Sequence, residues 1–252
     1  MTRLAFTSGD PIGHRATLGL IVLQADETIE PEFHRLVREP GVALYTTRIP
    51  SGRNVTPETL RAMAEALPAA AGLFPGSLAF DVIGYACTSG ATFIGSETVA
   101  QKVRSAVRTE NVTDPLKAVI TACGALGVRH LGFVTPYVME VSGAMRAALE
   151  KQGLEITAFG SFEQAEENTV ARIDPRSVLD AALRVGSAAA CDAVFISCTN
   201  LRTLDIIATA EAQLGKPVIT SNQALAWHML RSAGIDGPGR EFGALMATAP
   251  GE

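Results

Sequence analysis

The sequence predicts an α/β fold of two pseudo-symmetric, doubly wound lobes. Each lobe is expected to hold a parallel sheet of about four strands, with the functional site in the cleft between them. Three observations carry this expectation. A strand-like run that ends in Cys-Thr occurs twice. Other strand-like runs recur around it in the same order. Nearly every such run is followed by a helical one, the alternation that sets parallel strands side by side under helices on both faces.

Phe80–Ser89 (FDVIGYACTS) reads against Cys191–Asn200 (CDAVFISCTN). Asp81, Cys87 and Thr88 coincide with Asp192, Cys198 and Thr199 at an offset of 111 (198 − 87). Leu18–Val22 matches Leu131–Thr135 at 113 (131 − 18), and Gly41–Tyr45 matches Gly153–Thr157 at 112 (153 − 41). A fourth pair, Val119–Ala122 and Val218–Ser221, stands at 99 (218 − 119). Four segments in one order read as two copies of one unit. The expected division is residues 1–122 for the first lobe, with 225–252 packing back on it, and 123–224 for the second.

Residues 1–16 precede the first copy as an arm or edge strand. Leu18–Gln24 is an unbroken apolar run, as a strand buried on both faces should be. Asp26 or Thr28 then caps a helix over 29–37, which Pro40-Gly41 ends. Residues 42–49 form the second strand. Thr56 as N-cap and Pro57 at N1 open a helix to about residue 66. The strand Asp81–Ala86 stops at Cys87, and the turn Thr88-Ser89-Gly90 leads into a helical stretch through Gln101.

The second copy opens with the strand 131–135 and the helix 138–152, which Gly153 ends. Strand 154–159 follows, then a polar loop holding Asn168. Asp174-Pro175 starts the helix 176–189, which leads to the Cys198 strand. Helix 201–214, strand 218–220 and helix 223–233 complete the copy.

The chain has 252 residues, 47% hydrophobic, with 23 glycines, 6% aromatics and a net charge of −5. That is the profile of an α/β protein with a sizeable core. The charge is spread without a basic patch, so nucleic acid is not an expected partner. No apolar run approaches the roughly 18–20 residues that span a bilayer, and the N-terminus lacks a signal-peptide core. A cytoplasmic location and reduced thiols are therefore expected for Cys87, Cys123, Cys191 and Cys198. The four histidines are scattered and no CxxC occurs, so no metal site is expected. Neither GxGxxG nor a phosphate-binding loop is present.

A thiol at the carboxyl end of a parallel strand lies where open α/β sheets bind ligands. If a helix starts there, its N–H groups and dipole favour thiolate and attract anions. Cys87 and Cys198 are thus the expected catalytic pair, at least one with a lowered pKa. Two thiols across a small cleft suit two routes. One thiolate can remove a proton beside a carboxylate while the other thiol protonates the opposite face. Alternatively, a thiolate can add to an activated double bond and leave again after rotation. Both routes build negative charge on the substrate, which backbone N–H groups at Thr88, Ser89, Thr199 and Asn200 can hold. Neither needs a cofactor. Arg48 and Arg53 follow the second strand as anion-binding candidates. Cys123 and Cys191 read as buried structural residues, and His14 is not expected in the site.

With these residues in place, the chain resembles the aspartate/glutamate racemase superfamily. It is most similar to the branch of maleate cis-trans isomerase, arylmalonate decarboxylase and the ectoine-utilisation protein A. The resemblance covers residues 18 to about 233. It rests on Tyr85-Ala86-Cys87, Ile196-Ser197-Cys198, Val134-Thr135-Pro136-Tyr137 and Asn168-Thr169. It implies two catalytic cysteines, a carboxylate-binding Tyr137 and an asparagine, Asn168, in the site. Asp26 stands where maleate isomerases carry a carboxylate-binding asparagine. An acid there would repel a second substrate carboxylate and suit an amino group. The segment Gln24–Glu30 looks more like the ectoine-utilisation protein, whose expected substrates are amino acid derivatives. Decarboxylases of the branch have glycine at the first cysteine, so Cys87 counts against that activity. The expected function is a cofactor-independent two-cysteine isomerase or racemase/epimerase, acting as a homo-oligomer on a small carboxylate, either an amino acid derivative or a maleate-like diacid. The alternatives are a decarboxylase using Cys198 as proton donor and a two-lobed small-molecule binding protein.

Overall fold

The structure is a computed structural model and describes residues 1–249. It contains two four-stranded sheets of identical connectivity. In the first, β1 (Ala16–Leu23), β2 (Val42–Ile49), β3 (Phe80–Ala86) and β4 (Thr109–Thr113) lie in the order β2-β1-β3-β4. In the second, β5 (His130–Tyr137), β6 (Glu155–Gln164), β7 (Ala193–Ile196) and β8 (Val218–Thr220) lie in the order β6-β5-β7-β8. All pairings are parallel. The Cys87 and Cys198 strands, β3 and β7, therefore hold equivalent places in separate sheets, as the repeat requires.

The helices are α1 (Ile29–Leu36), α2 (Pro57–Ala71), α3 (Thr88–Ile94), α4 (Ser96–Arg104) and α5 (Pro115–Leu126) in the first half. In the second half they are α6 (Met139–Lys151), α7 (Glu167–Val170), α8 (Pro175–Gly186), α9 (Ile207–Leu214) and α10 (Ser221–Ser232). β1 is buried along its whole length because it is internal to its sheet with helices on both faces, which is why its sequence does not alternate. α2 starts on the expected signal: the Thr56 side chain accepts from the Thr59 N–H and Pro57 fills N1. The buried apolar side chains form one continuous cluster through both sheets. α10 leaves β8 of the second sheet and packs on β3, α5 and α1. It approaches β3 closely because Gly84 has no side chain: a Cβ there would lie 2.6 Å from the Met229 sulfur.

One repeat segment is corrected. Val119–Ala122 is not a strand but part of α5, whose start is set by Asp114 accepting from the Lys117 N–H and by Pro115 at N1. The segment's buried residues recur at helical spacing, with Leu116, Val119 and Cys123 inward. The fourth strand is Thr109–Thr113 (TENVT), an edge strand that is exposed at its start and carries too little apolar pattern to be read. Residue 122, the expected end of the first lobe, lies within α5. Residues 1–11 carry no regular secondary structure and pair with neither sheet.

Candidate functional site

β3 and β7 bring the two cysteines to the carboxyl ends of their sheets. Cys87 is extended and N-caps α3; its Sγ accepts the Gly90 N–H at 3.1 Å and lies 3.6 Å from the Ser89 hydroxyl. Cys198 has φ 119°, a conformation that is strained for a side-chain-bearing residue. Its Sγ accepts the Asn200 N–H at 3.3 Å in a turn, because the expected helix from residue 201 begins only with a 3-10 turn at Leu204. Hydrogen bonds tie the two cysteine loops together. The Ser221 hydroxyl receives the Cys198 N–H at 3.0 Å and sits 2.8 Å from the Thr88 hydroxyl. The Thr199 hydroxyl donates to the Ala86 carbonyl at 3.4 Å. Thr88, Ser89, Thr199 and Asn200 are all buried in this junction.

Tyr137, at the end of β5, places its hydroxyl 3.0 Å from Cys198 Sγ. The same hydroxyl donates to Glu167 Oε1 at 3.0 Å. Asn200 is the hub of the wall. Its Nδ2 donates to Glu167 Oε2 at 2.9 Å and to the Ala25 carbonyl at 3.4 Å, and its Oδ1 accepts the Glu27 N–H at 2.9 Å. These bonds hold the β1–α1 loop, and with it Asp26, against the second half. Asp26 Oδ1 accepts the N–H groups of Thr28 and Ile29, each at 2.8 Å, so one oxygen serves the start of α1. Cys198 and Glu167 both feel the Asp26 charge, and both thiols feel that of Glu167.

Asn168 is not in this group. It is exposed, and its carbonyl accepts from Arg172 at 2.9 Å. Its neighbour Glu167 turns inward instead, 5% exposed. Sequence reasoning missed Glu167, Ser221 and the buried Glu32, whose carboxylate receives Thr203 N–H, Leu204 N–H and Asn222 Nδ2. The available signal for Glu167 was its adjacency to Asn168, since a one-residue shift in a short helix turns a different side chain inward. Arg48 binds no cleft anion: it holds the Leu23, Gln24 and Asp26 carbonyls and pairs with Glu30. The Arg53 side chain is exposed. His14 is exposed beside Gly41, before β1 and away from the strand ends that carry the thiols. Cys191 Sγ accepts the Gly132 N–H and donates to the Ala193 carbonyl, and Cys123 is buried against α5's neighbours.

The expected lowering of a thiol pKa is reversed in this closed form. Burial pushes Cys87 up to about 12, against the Ser89 and Gly90 hydrogen bonds. Burial, then the Glu167 charge, pushes Cys198 well up. Desolvation outweighs α3's dipole at Cys87, and Cys198 has no helix start beside it. Burial likewise raises Asp26 and Glu167. The site is closed by a clasp between the halves: the Val55 N–H donates to the Ala165 carbonyl at 2.9 Å, and the Glu167 N–H to the Arg53 carbonyl at 3.2 Å. Beneath it a cavity of about 10 Å³, lined by Leu23, Val55, Met63 and Glu167 among others, has room for at most one water. A cavity of about 560 Å³ between β6 and α8 holds neither thiol.

The fold and site define a duplicated α/β protein with two strand-end cysteines facing one buried polar wall. A family model, arylmalonate decarboxylase, matches residues 18–246. The chain belongs to that family. It is 32% identical over 239 residues to the maleate isomerase of Nocardia farcinica, covering 88% of this chain and 94% of the relative. It is 29% identical over 223 residues to the arylmalonate decarboxylase of Bordetella bronchiseptica, covering 86% and 90%. A solved structure of the Nocardia farcinica maleate cis-trans isomerase, a cysteine-to-serine mutant with a covalently bound succinylcysteine intermediate, superposes with a TM-score of 0.80 at 26% identity, covering 92% of this chain and 98% of that one. The racemase-superfamily resemblance thus resolves to the branch that holds these enzymes. Among the described residues no helix is long and apolar enough to cross a membrane.

Proposed function

We propose that the protein is a two-cysteine isomerase or racemase/epimerase of a small carboxylate, with Cys87 and Cys198 as the reacting groups. The observation that carries this reading is the junction Thr88–Ser221–Cys198, which cross-links two equivalent strand-end thiols beside one Glu167. One thiol takes a proton from the carbon beside the carboxylate and the other returns one to the opposite face. The unpaired N–H groups of α3's first turn, at Thr88 and Ser89, hold the charge that develops on the substrate carboxylate. Tyr137 supplies a further donor once its proton turns away from Glu167. In the route through a double bond, one thiolate adds and the other thiol acts as acid. The covalent succinylcysteine in the Nocardia enzyme supports that chemistry for a relative. Four buried, unpaired cysteines suit a reducing cytoplasm.

The test is solvent-deuterium incorporation across small amino and dicarboxylic acids, run on the parent and on Cys87→Ala and Cys198→Ala. In a racemase both variants lose net turnover, and each keeps exchange from one face only. In an addition mechanism the two variants lose activity unequally. The match to the decarboxylase model favours a second reading, in which Cys198 alone delivers a proton after carbon dioxide leaves. Near-normal turnover by Cys87→Ala would establish it. Near-normal turnover by both variants would remove the thiols from the mechanism and leave a binding protein.

A further inference from the structure

Two buried acceptors around the thiols have no donor. Asp26 Oδ2 is one: the residue is 4% exposed, its Oδ1 takes both nearby backbone N–H groups, and Oδ2 has no partner. The Thr199 hydroxyl lies near the same carboxyl and acts to lower its pKa, but its hydrogen bond, a long one at 3.4 Å, goes to the Ala86 carbonyl and leaves Oδ2 without a partner of regular geometry. Asn222 Oδ1 is the other. The Asn222 amide is fixed in orientation because its Nδ2 donates to two acceptors, Glu32 Oε2 at 2.7 Å and the Thr199 carbonyl at 2.9 Å. Both bare acceptors border Thr199, the residue after Cys198. The Glu167 carboxyl, which accepts from Tyr137 and Asn200, is near enough to feel the Asp26 charge. A buried acceptor without a donor is costly, and the folded chain brings none to it.

Resting on the two-cysteine reading above, we propose that Asp26, with Glu167 joined to its loop through Asn200, forms a subsite for a cationic nitrogen, so that the substrate is an amino-carboxylate and not a dicarboxylate. An ammonium group carries three N–H donors and a positive charge: one N–H supplies the donor that Asp26 Oδ2 lacks, and the charge suits both acids, although the Glu167 oxygens already accept from Tyr137 and Asn200. A second substrate carboxylate at the same place would bring an anion against two acids at low dielectric. The wall therefore selects by repulsion as well as attraction. The N–H groups beside Cys87 remain for the substrate's carboxylate, joined by the Tyr137 hydroxyl when its proton turns away from Glu167. The acids do not touch the carbon that reacts; they set what the substrate carries.

The experiment measures binding, separately from turnover, on the full chain with both cysteines replaced by serine. Calorimetry compares matched pairs: both enantiomers of aspartate against succinate, of alanine against propionate, and of 2,4-diaminobutyrate against 4-aminobutyrate, together with maleate. The expected result is that at least one α-amino acid binds about 100-fold or more tighter than its deamino partner, as sites built to pair a polar group do. Asp26→Asn should shrink that ratio to within about threefold and improve maleate or succinate. The new amide keeps an oxygen for the Thr28 and Ile29 N–H groups, and an unchanged melting temperature confirms that the loop is intact. Equal binding within pairs, tighter binding of the diacids by the parent, or binding by no amino acid overturns the subsite. If deamino acids bind and the active enzyme isomerises them, the subsite falls and the two-cysteine function stands. If amino acids bind but neither exchange nor isomerise, the function falls and the subsite stands.

Discussion

The Tyr137 hydroxyl lies 3.0 Å from Cys198 Sγ and gives its one proton to Glu167. Cys198 must then be the donor in its contact with the tyrosine, so three groups form a directed chain: thiol to phenol to carboxylate. For Cys198 to act as thiolate, the Tyr137 proton has to turn back toward sulfur, and Glu167 must lose that donor or accept a proton. Burial raises all three groups, which keeps the resting chain uncharged at sulfur and phenol.

Tyr137→Phe removes the middle of this chain. Turnover should fall by about 10²–10³, the usual cost of losing a donor aimed at developing charge. Stability should drop by only about 1–2 kcal/mol, because one buried hydrogen-bonded hydroxyl is lost and the ring stays. Steady-state kinetics beside thermal melts check this; turnover within threefold of the parent would remove Tyr137 from the chemistry.

Glu167→Gln keeps the shape and the hydrogen bonds to Asn200 but cannot take a proton. It should lower kcat by about 10–100-fold and shift the acidic limb of the pH–rate profile, with a smaller change in thermal stability. A profile that keeps its acidic limb would assign that limb to another group.

How much of this was legible beforehand varied with the residue. The β3 and β7 segments were readable because each is buried on both faces and must be apolar along its length, which makes their copies alike. β4 was not, because an edge strand beside solvent can be TENVT, while the apolar Val119–Ala122 belongs to a helix face. Cys87 and Cys198 were found by repetition, Asn200 by its position just after Cys198, and Tyr137 by the resemblance to maleate isomerases. Glu167 was hidden by one residue of phase, because only the short helix after β6 decides whether Glu167 or Asn168 faces the thiols. The pKa direction was misjudged because a helix N-terminus is visible in a sequence and the depth of its burial is not.

Thiol reactivity should follow closure. With Cys87 4% and Cys198 2% exposed, a neutral alkylating reagent at pH 7.5 should label neither within the time that modifies an exposed cysteine. Loosening the clasp by Val55→Pro, which deletes the N–H that binds Ala165, should speed labelling of these two by tenfold or more and leave Cys123 and Cys191 protected. Peptide mapping by mass spectrometry distinguishes the four. Equal acceleration at Cys123 would mean global loosening instead.

Gly90 fixes the Cys87 thiol by its lack of a side chain. A Cβ there would lie 2.4 Å from the Tyr85 hydroxyl and 2.9 Å from Cys87 Sγ. Gly90→Ala should therefore displace the thiol, costing about 1–3 kcal/mol as overpacking does. The loss in kcat should exceed the loss expected from unfolded protein at the assay temperature. Chemical denaturation alongside kinetics separates the two effects, and full activity in a folded variant would place the substrate path away from Cys87.

His228 makes stability depend on acid. Its Nδ1 lies 2.7 Å from the Thr113 hydroxyl, and burial, then Lys117, lowers its pKa to about 4 from the ordinary 6.5. The folded state thus binds fewer protons than the unfolded state between those values. The stability from neutral His228 is complete above pH 6.5 and is lost as pH falls toward 4. That is roughly 2–3 kcal/mol by pH 4.5 at 1.36 kcal/mol per pKa unit. The buried acids work in the opposite direction: Asp26, Glu32, Asp114 and Glu167 are all raised, so they favour the folded state at low pH. The histidine contribution therefore has to be read as a difference. Urea unfolding of the parent and of His228→Gln at pH 7.5 and 4.5 isolates it. The parent should lose about 2–3 kcal/mol relative to the variant on acidification, and a difference that stays constant with pH would show that His228 is already protonated, or equally titratable, in the folded chain.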